Sequence, residues 1–445
     1  MSNKQNKTNY AFLAVSVPVY FVFAYFTVRE DFVRMISLYA VLFAAFMFYY
    51  QKVKNESDLG FSLKIAFVLR LIFLFALPAL SNDFYRFIWD GRMSVLGINP
   101  YLVLPKDFVG TVDMARVGSD AAELLKGQGS ISPGNYTCYP PVNQFVFLLP
   151  AFLFPESILG SVVMMRIILV LSDLGTFFYA RKILKRLDLP QSNILLYTLN
   201  PFIIIEMTGN LHFEGLTVFF LVFSLYLLLR EKQKLSAVML ALSASVKLIP
   251  LLFLPFFMKK LGQWNSIKYY LIVGMVSILL FLPFLSMDLV ENFMSSIDLY
   301  FRKFEFNASF YYLFREIGFH LKGWNIIQKL GPILGLASLI VILLLTFIPK
   351  NERPRQMMVS MLMAISVYYF FSTTVHPWYI ALPLIISVFT HYRFVVLWSL
   401  LVMLSYYAYG NSGFKESMWL VGGEYLLLYG FLGYELIRFR KLGMQ

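Results

Sequence analysis

Asp83, Arg86 and Asp90 recur at helical spacing in the stretch SNDFYRFIWDGRMSVLGINPY (81–101). On a helix over 83–97 they share, with Gly97, about 60° of arc at 100° per residue. Phe84, Ile88 and Val95 form a separate apolar stripe. A carboxylate within reach of an arginine, at the mouth of a lipid-facing cavity, suits a base that works on a lipid-phosphate substrate. The plainer reading is an amphipathic helix on a membrane surface whose charges solvate among the headgroups.

Four further stretches hold groups with chemical capacity. NYTCYPPVNQ (135–144) carries Tyr139 ahead of two prolines, and reads otherwise as a rigid turn. NPFIIIEMTGNLHFEG (200–215) sets Glu206, Asn210, His212 and Glu214 between two apolar runs, where two carboxylates flank a histidine. Lys247 interrupts the long apolar run LSAVMLALSASVKLIPLLFLPFFMKK (235–260). Ionisable groups inside a bilayer are costly and mark function, and a phosphate partner would satisfy this one. Arg166 is embedded near one end of an apolar run and is a candidate for the same basic pocket; Arg70 is embedded without an evident partner. STTVHPWYIALP (372–383) places His376, Trp378 and Tyr379 at a helix start, with Pro377 suited to the first turn. These rings fit an aromatic anchor, or a grip on a phosphate or a sugar.

The elements that must position these groups belong to a membrane. Of 445 residues 59% are hydrophobic and 14% charged, with mean hydropathy +0.68, where a soluble domain is about 25% charged. The expectation is an all-α polytopic membrane protein, a single integral domain over 1–445. Apolar runs at 10–28, 33–50, 61–80, 158–180, 192–206, 213–229, 266–286, 331–348, 356–372, 377–390, 393–409 and 418–436, with 235–260 split at Lys247 into 235–247 and 249–258, make fourteen crossings. Basic clusters at Arg181–Arg186, Arg230–Lys234, Lys259–Lys268, Lys350–Arg355 and Arg438–Lys441 fall on one side of that arrangement. The positive-inside rule makes that side cytoplasmic, with both termini on it. The first large loop (81–141) and the second (287–330) then face outward, and 140–155, bounded by prolines, reads as an interfacial or re-entrant helix. The net charge of +13 is thereby topological and implies no nucleic-acid partner. The single Cys138 excludes an internal disulfide framework, and no zinc, P-loop or dinucleotide pattern is present.

Several of these segments together resemble a known group. DFYRFIWDGRMSVLGINPY resembles the D-x-Y-R-Y-x-W-D-G-R…G-x-N-P-Y signature of bacterial and archaeal polyprenyl-phosphate-mannose-dependent mannosyltransferases. CYPPVNQFVF, GNLHFEGL, LSASVKLIPLLFLP and HPWY resemble later elements of the same group, in order, from about Arg70 to Pro383. Phe87 stands where tyrosine is common, and HFEG replaces a simpler acidic residue. The resemblance implies the multi-pass C-type glycosyltransferase (GT-C) fold, in the plasma membrane, with the site on the outer face. It implies Asp83 as base, and a sugar, mannose by the resemblance, moving with inversion from a polyprenyl phosphate to a glycan or lipid-linked acceptor. Arg86, Lys247, His376 and Arg166 are then candidates for the donor phosphate. Asp90, Tyr139, Asn210, His212, Glu214, Trp378 and Tyr379 are candidates for the sugar or acceptor. No cofactor is expected; were a divalent metal used, Glu206, His212 and Glu214 would supply ligands. The competing readings are a lipid-linked sugar flippase, with ionisable groups at the bilayer midplane and repeated halves, and an O-antigen-type ligase or polymerase.

Overall fold

The computed structural model describes residues 3–53, 56–410 and 413–442. The ends of the expected 1–445 domain therefore lie outside the described residues. Helix accounts for 76% of the structure, and the described residues form no strand, only an isolated parallel bridge between Phe306 and Thr374.

The chain opens with α1 (Asn3–Phe26), α2 (Phe32–Lys52) and α3 (Glu56–Leu71). Asp31 caps α2 by accepting from Arg34 N–H at 3.1 Å. α4 (Asp83–Val95) starts the first large loop, which continues through α5 (Asp113–Val117) and α6 (Ala121–Gly127) to α7 (Pro141–Leu153). α4 has Asp83 in its first turn, where the helix dipole favours an anion, and stops before Gly97 at φ 74°. α8 (Ile158–Arg186) is the longest helix. After it come α9 (Leu195–Thr198), α10 (Pro201–Ile203) with a π-helical continuation over Ile204–Gly209, then α11 (Glu214–Leu229) and α12 (Gln233–Ala244). A short 3₁₀ stretch (Ile249–Phe253) leads into α13 (Leu254–Leu261) and α14 (Gln263–Phe281). The second loop holds α15 (Leu289–Arg302) and α16 (Phe310–Lys322). α17 (Ile327–Phe347), α18 (Pro354–Phe371), α19 (Ala381–Val388), α20 (Phe394–Leu401) and α21 (Met418–Lys441) complete the chain.

Helix length supports part of the expected topology. Among the described residues six helices are long and apolar enough to cross a bilayer: Asn6–Phe26, Phe32–Lys52, Ile158–Arg186, Gln263–Phe284, Ile327–Phe347 and Met418–Lys441. A seventh counts if Pro201–Gly209 and Glu214–Leu229, bent by 113°, act as one span. Most of the other expected crossings are short or broken, whereas the run expected at 356–372 is one continuous helix, α18. The run expected at 61–80 stays helical only to Leu71, and 192–206 divides into 3₁₀, α and π pieces. Asn200 starts one of these pieces by accepting from Phe202 N–H at 3.0 Å ahead of Pro201. The break expected at Lys247 is present: α12 stops at Ala244, and Pro250 lacks the N–H that a continuous helix would need. α7, 13 residues long, stays short between prolines as expected.

α4 corrects the surface-helix expectation. Phe84, Phe87, Ile88 and Met93 are buried and Trp89 is 0% exposed. The aromatics do not float the helix in headgroups; they form a core with α6, α7 and α8. Gly91 explains the WDGR sequence at this contact, because a Cβ there would run into the Phe147 carbonyl of α7.

Candidate active site

Four loop segments converge on a cavity of about 920 Å³. The first is the turn before α4. Leu80 N–H donates to Asn210 Oδ1 at 3.2 Å, and Asp83 N–H donates to Ser81 Oγ at 3.3 Å. Asp83 thus sits half-buried at the start of a helix, facing the cavity.

The second segment is the YPPVNQ turn. Tyr101 Oη donates to the Tyr139 carbonyl at 2.7 Å. Val142 N–H donates to the Ser245 carbonyl at 3.0 Å, and Asn143 Nδ2 to the Val246 carbonyl at 2.7 Å. These two bonds lock the YPP element onto the break that presents Lys247. They bring the Tyr139 ring under the Lys247 ammonium, 5.3 Å from its centroid, and the Tyr139 hydroxyl to 3.4 Å from Asp83 Oδ2.

The third segment is the NLHFEG turn. Leu211 has φ 61°, strained for a branched side chain, and is fully buried. Arg166 holds this strain in place: its guanidinium donates to the carbonyls of Thr208 (2.8 Å), Gly209 (2.9 Å) and Leu74 (2.9 Å). Glu214, next on the turn, pairs with Lys247 at 3.0 Å. Its second oxygen, Oε2, is buried without a partner. Lys247 lies outside the helices. Burial opposes its charge, but Glu214, Cys138 and Asp83 together more than offset this and hold its pKa above the usual value.

The fourth segment, 372–379, supplies an aromatic wall. Trp378 stacks between His212 (centroids 3.8 Å apart) and His376 (4.5 Å). Phe304 and Phe306 flank His376 from the second loop, which the Phe306–Thr374 bridge and a Thr374 Oγ1 donation to the Phe304 carbonyl (3.0 Å) fasten here. His376 Nδ1 is buried without a partner.

The candidates drawn from sequence thus separate. Asp83, Tyr139, Glu214, Lys247, His376, Trp378 and Tyr379 all line the cavity. Arg86, Arg166, Asp90, Asn210, His212 and Glu206 do not, and each has internal partners. Arg86 pairs with Asp90 at 2.6 Å and donates to the carbonyls of Ser132 and Asn135, both at 2.9 Å. Asp90 also accepts from Gln144 at 3.4 Å, while Arg92 turns away to Asp120. The helical phase groups Arg86 with Asp83, but Asp90 takes its Nε and the carbonyls of the chain returning at 132–135 take its Nη1. Glu206 accepts from Tyr406 Oη at 2.8 Å and Asn210 Nδ2 at 3.3 Å, and lies 3.1 Å from His212 Nδ1. Glu206 and Glu214 thus serve different partners, and no group of three metal-ligating side chains converges among the described residues. His376 is corrected as a cation: burial, then the nearby His212 and Lys247, push its pKa down to about 3. A neutral imidazole can still exchange hydrogen bonds with a substrate.

Sequence reading missed two features. Arg70 does have a partner, Asp173 Oδ2 at 2.8 Å, and its Nη1 donates to the carbonyls of Ala66 and Thr198. The SD pair inside the apolar run of α8 was the signal for it. Arg29 and Glu30, in the α1–α2 turn, also line the cavity with Tyr409 and Phe414; nothing but their charge set them apart.

Residues 25–262 match the family model described as alpha-(1->6)-mannopyranosyltransferase, N-terminal domain. No curated protein matches the chain. The matched segment is more than half of the chain and carries Asp83, Tyr139, Glu214 and Lys247. The chain belongs to this family of multi-pass C-type mannosyltransferases, and is a glycosyltransferase of the mannose class.

Proposed function

We propose that this member of the alpha-(1->6)-mannopyranosyltransferase family moves mannose, with inversion, from a polyprenyl phosphate to a glycan hydroxyl on the outer face of the plasma membrane. The observation that carries the reading is the placing of Asp83. It lines the cavity within electrostatic reach of Lys247 on the donor side and of Tyr409 at another wall. A base, a half-buried cation and an aromatic wall then share one cavity.

In this reading the acceptor hydroxyl gives its proton to the Asp83 carboxylate as its oxygen attacks the anomeric carbon. The bond from that carbon to the phosphate oxygen breaks with its electron pair, and polyprenyl phosphate leaves. A β-linked donor gives an α-linked product, and the family description supplies the 1→6 linkage. Lys247 stabilises charge growing on the leaving phosphate; a fixed cation in a dry site needs little reorganisation to do so. Tyr139 orients Asp83 and stacks on Lys247, setting base and cation at a fixed separation. The unpartnered Glu214 Oε2 and His376 Nδ1 are suited to sugar hydroxyls, with Trp378 and Tyr379 as the apolar wall. Arg86, Asp90, Arg166, Asn210, His212 and Glu206 position these groups without touching substrate.

The lipid takes the wall formed by Gly331, Gly335 and Ser338 of α17, Leu252 and Phe371 as its berth. Small residues leave room for a chain there, and Ile333 and Leu336 of the same helix stay exposed. The basic clusters support the sidedness, with both termini cytoplasmic. The test is transfer by purified full-length protein supplied with polyprenyl-phosphate mannose and a panel of mannosides. Mannosyl transfer that Asp83→Asn abolishes supports the reading. Equal transfer by Asp83→Asn removes Asp83 as base, and no transfer from any polyprenyl-phosphate sugar returns the transporter reading.

A further inference from the structure

The wall of the cavity formed by the α1–α2 turn has a different chemistry from the rest. Arg29 lies over the Tyr409 ring, 4.7 Å from its centroid, with its side chain 26% exposed. Its Nε pairs with Glu30 Oε1 at 3.3 Å, and Glu30 is 61% exposed, so this wall meets water. Phe414 adds a second ring at 5.4 Å from Tyr409 and is itself exposed. Asn82, Gln128 and Ser130 add uncharged polar groups to the lining of the same cavity. None of these side chains is needed to hold the NLHFEG turn or the Lys247 break.

We infer that Arg29, Glu30, Tyr409 and Phe414 form the acceptor subsite, and that it takes a neutral pyranoside rather than an anionic headgroup. This rests on the function proposed above. Neighbouring hydroxyls on a sugar ring are donors and acceptors at once. Arg29 donates only and Glu30, ionised, accepts only, so the pair can grip a diol from both sides. The faces of Tyr409 and Phe414 suit the apolar face of the ring. The charge balance decides between acceptor classes. Arg29 is a single cation beside the two carboxylates of Glu30 and Asp83, so a phosphate or uronate entering here meets net repulsion. Asp83 acts electrostatically on Tyr409 as well as Lys247, so a ring seated here brings a hydroxyl towards the base while the lipid approaches past α17.

The test is binding, measured without donor, of a neutral alkyl α-mannoside to the purified full-length protein, alongside its phosphorylated counterpart. Wild type is expected to bind the neutral glycoside in the millimolar range or tighter, and the phosphorylated one at least tenfold more weakly. Arg29→Ala and Tyr409→Leu are each expected to weaken the neutral glycoside at least tenfold. Arg29→Lys keeps the charge, loses the planar donor fork, and is expected to fall between; it serves if the larger changes lower the thermal midpoint. In turnover the same variants raise the acceptor KM and leave the donor KM within twofold. No binding to wild type, preference for the phosphorylated ligand, unchanged binding in the variants, or a rise in donor KM alone overturns the subsite. An active Asp83→Asn with these binding differences intact instead overturns the catalytic reading and leaves the subsite standing.

Discussion

Two sets of charged and polar groups differ in where they face: one is tied inward by bonds to the rest of the chain, the other lines the cavity. Off the cavity lining, Arg70, Arg86 and Arg166 pair with carboxylates or carbonyls, Asp173 and Thr198, Asp90 and Ser132, Thr208 and Leu74, and the atoms left over, Arg70 Nη2 and Arg86 Nη2, belong to residues that do not line the cavity. At the cavity wall, Glu214 and His376 each keep a buried polar atom without a partner, and Lys247 has one carboxylate and the face of one ring. Burial alone therefore does not mark a site. A buried charge matched by the protein is scaffold, because removing one partner strands the other. A buried polar atom left unmatched costs stability, and a ligand that matches it offsets that cost.

Five variants would sharpen or break this division. The largest effect is expected from Asp83→Asn, a fall of about 10³–10⁴-fold in kcat with the thermal midpoint retained, as for loss of a general base. Steady-state transfer and a melting curve read it together; a lowered midpoint with kcat retained would put Asp83 in the scaffold. Next comes Asp173→Ala, which strands Arg70 and is expected to cost about 3–5 kcal/mol of stability. Arg70→Met with Asp173→Leu should recover most of that in a detergent unfolding assay. Lys247→Met is expected to lower kcat by roughly 10²-fold, within the range for losing one preorganised group at a developing charge, with the loss greatest for poor leaving groups. Tyr139→Phe keeps the ring under Lys247 and removes only the hydroxyl bond to Asp83. Less than about tenfold in kcat is expected, since one neutral hydrogen bond contributes about 0.5–1.5 kcal/mol.

The smallest effect concerns pH. His376 is held at about 3 in the folded protein against the usual 6.5, so it folds neutral. The unfolded chain binds the extra proton between those values, and stability falls as pH drops from 6.5 towards 3. His376→Asn should flatten that acid limb in melts without shifting the transfer profile between pH 6 and 8. A shift there would mean that the imidazole titrates during turnover.

How much was legible from sequence follows the same division. The helix from Asp83, the break at Lys247 and the turn around Glu214 were readable because local rules govern them: a first-turn acid, a proline without an N–H, polar groups between apolar runs. Asp83, Tyr139, Glu214, Lys247, His376, Trp378 and Tyr379 line the cavity as one group. The arginines were not readable. Helical phase puts Arg86 beside Asp83, but its role is decided by carbonyls 46 and 49 residues further on. Asp173 lies 103 residues from Arg70, and no local pattern links them. Arg29 and Tyr409 meet only because the first and last thirds of the chain pack together, and a short turn between two helices reads as a connector. Of the fourteen expected crossings, six or seven match helices long and apolar enough to span, and pieces such as Pro201–Gly209 meet the next helix at a sharp bend that no local pattern announces.

The order in which the walls occur along the chain has a consequence for biogenesis. Asp83, Tyr139, Glu214 and Lys247 precede residue 262, whereas the tethered Phe304–Phe306 segment, His376, Trp378 and Tyr409 follow it. During synthesis the acid, the ammonium and their tyrosine reach the membrane before the rings that enclose them. A chain arrested near residue 262 would expose this charge to lipid, an attractive target for membrane quality control. Two co-expressed fragments divided there would regain transferase activity only by finding one another.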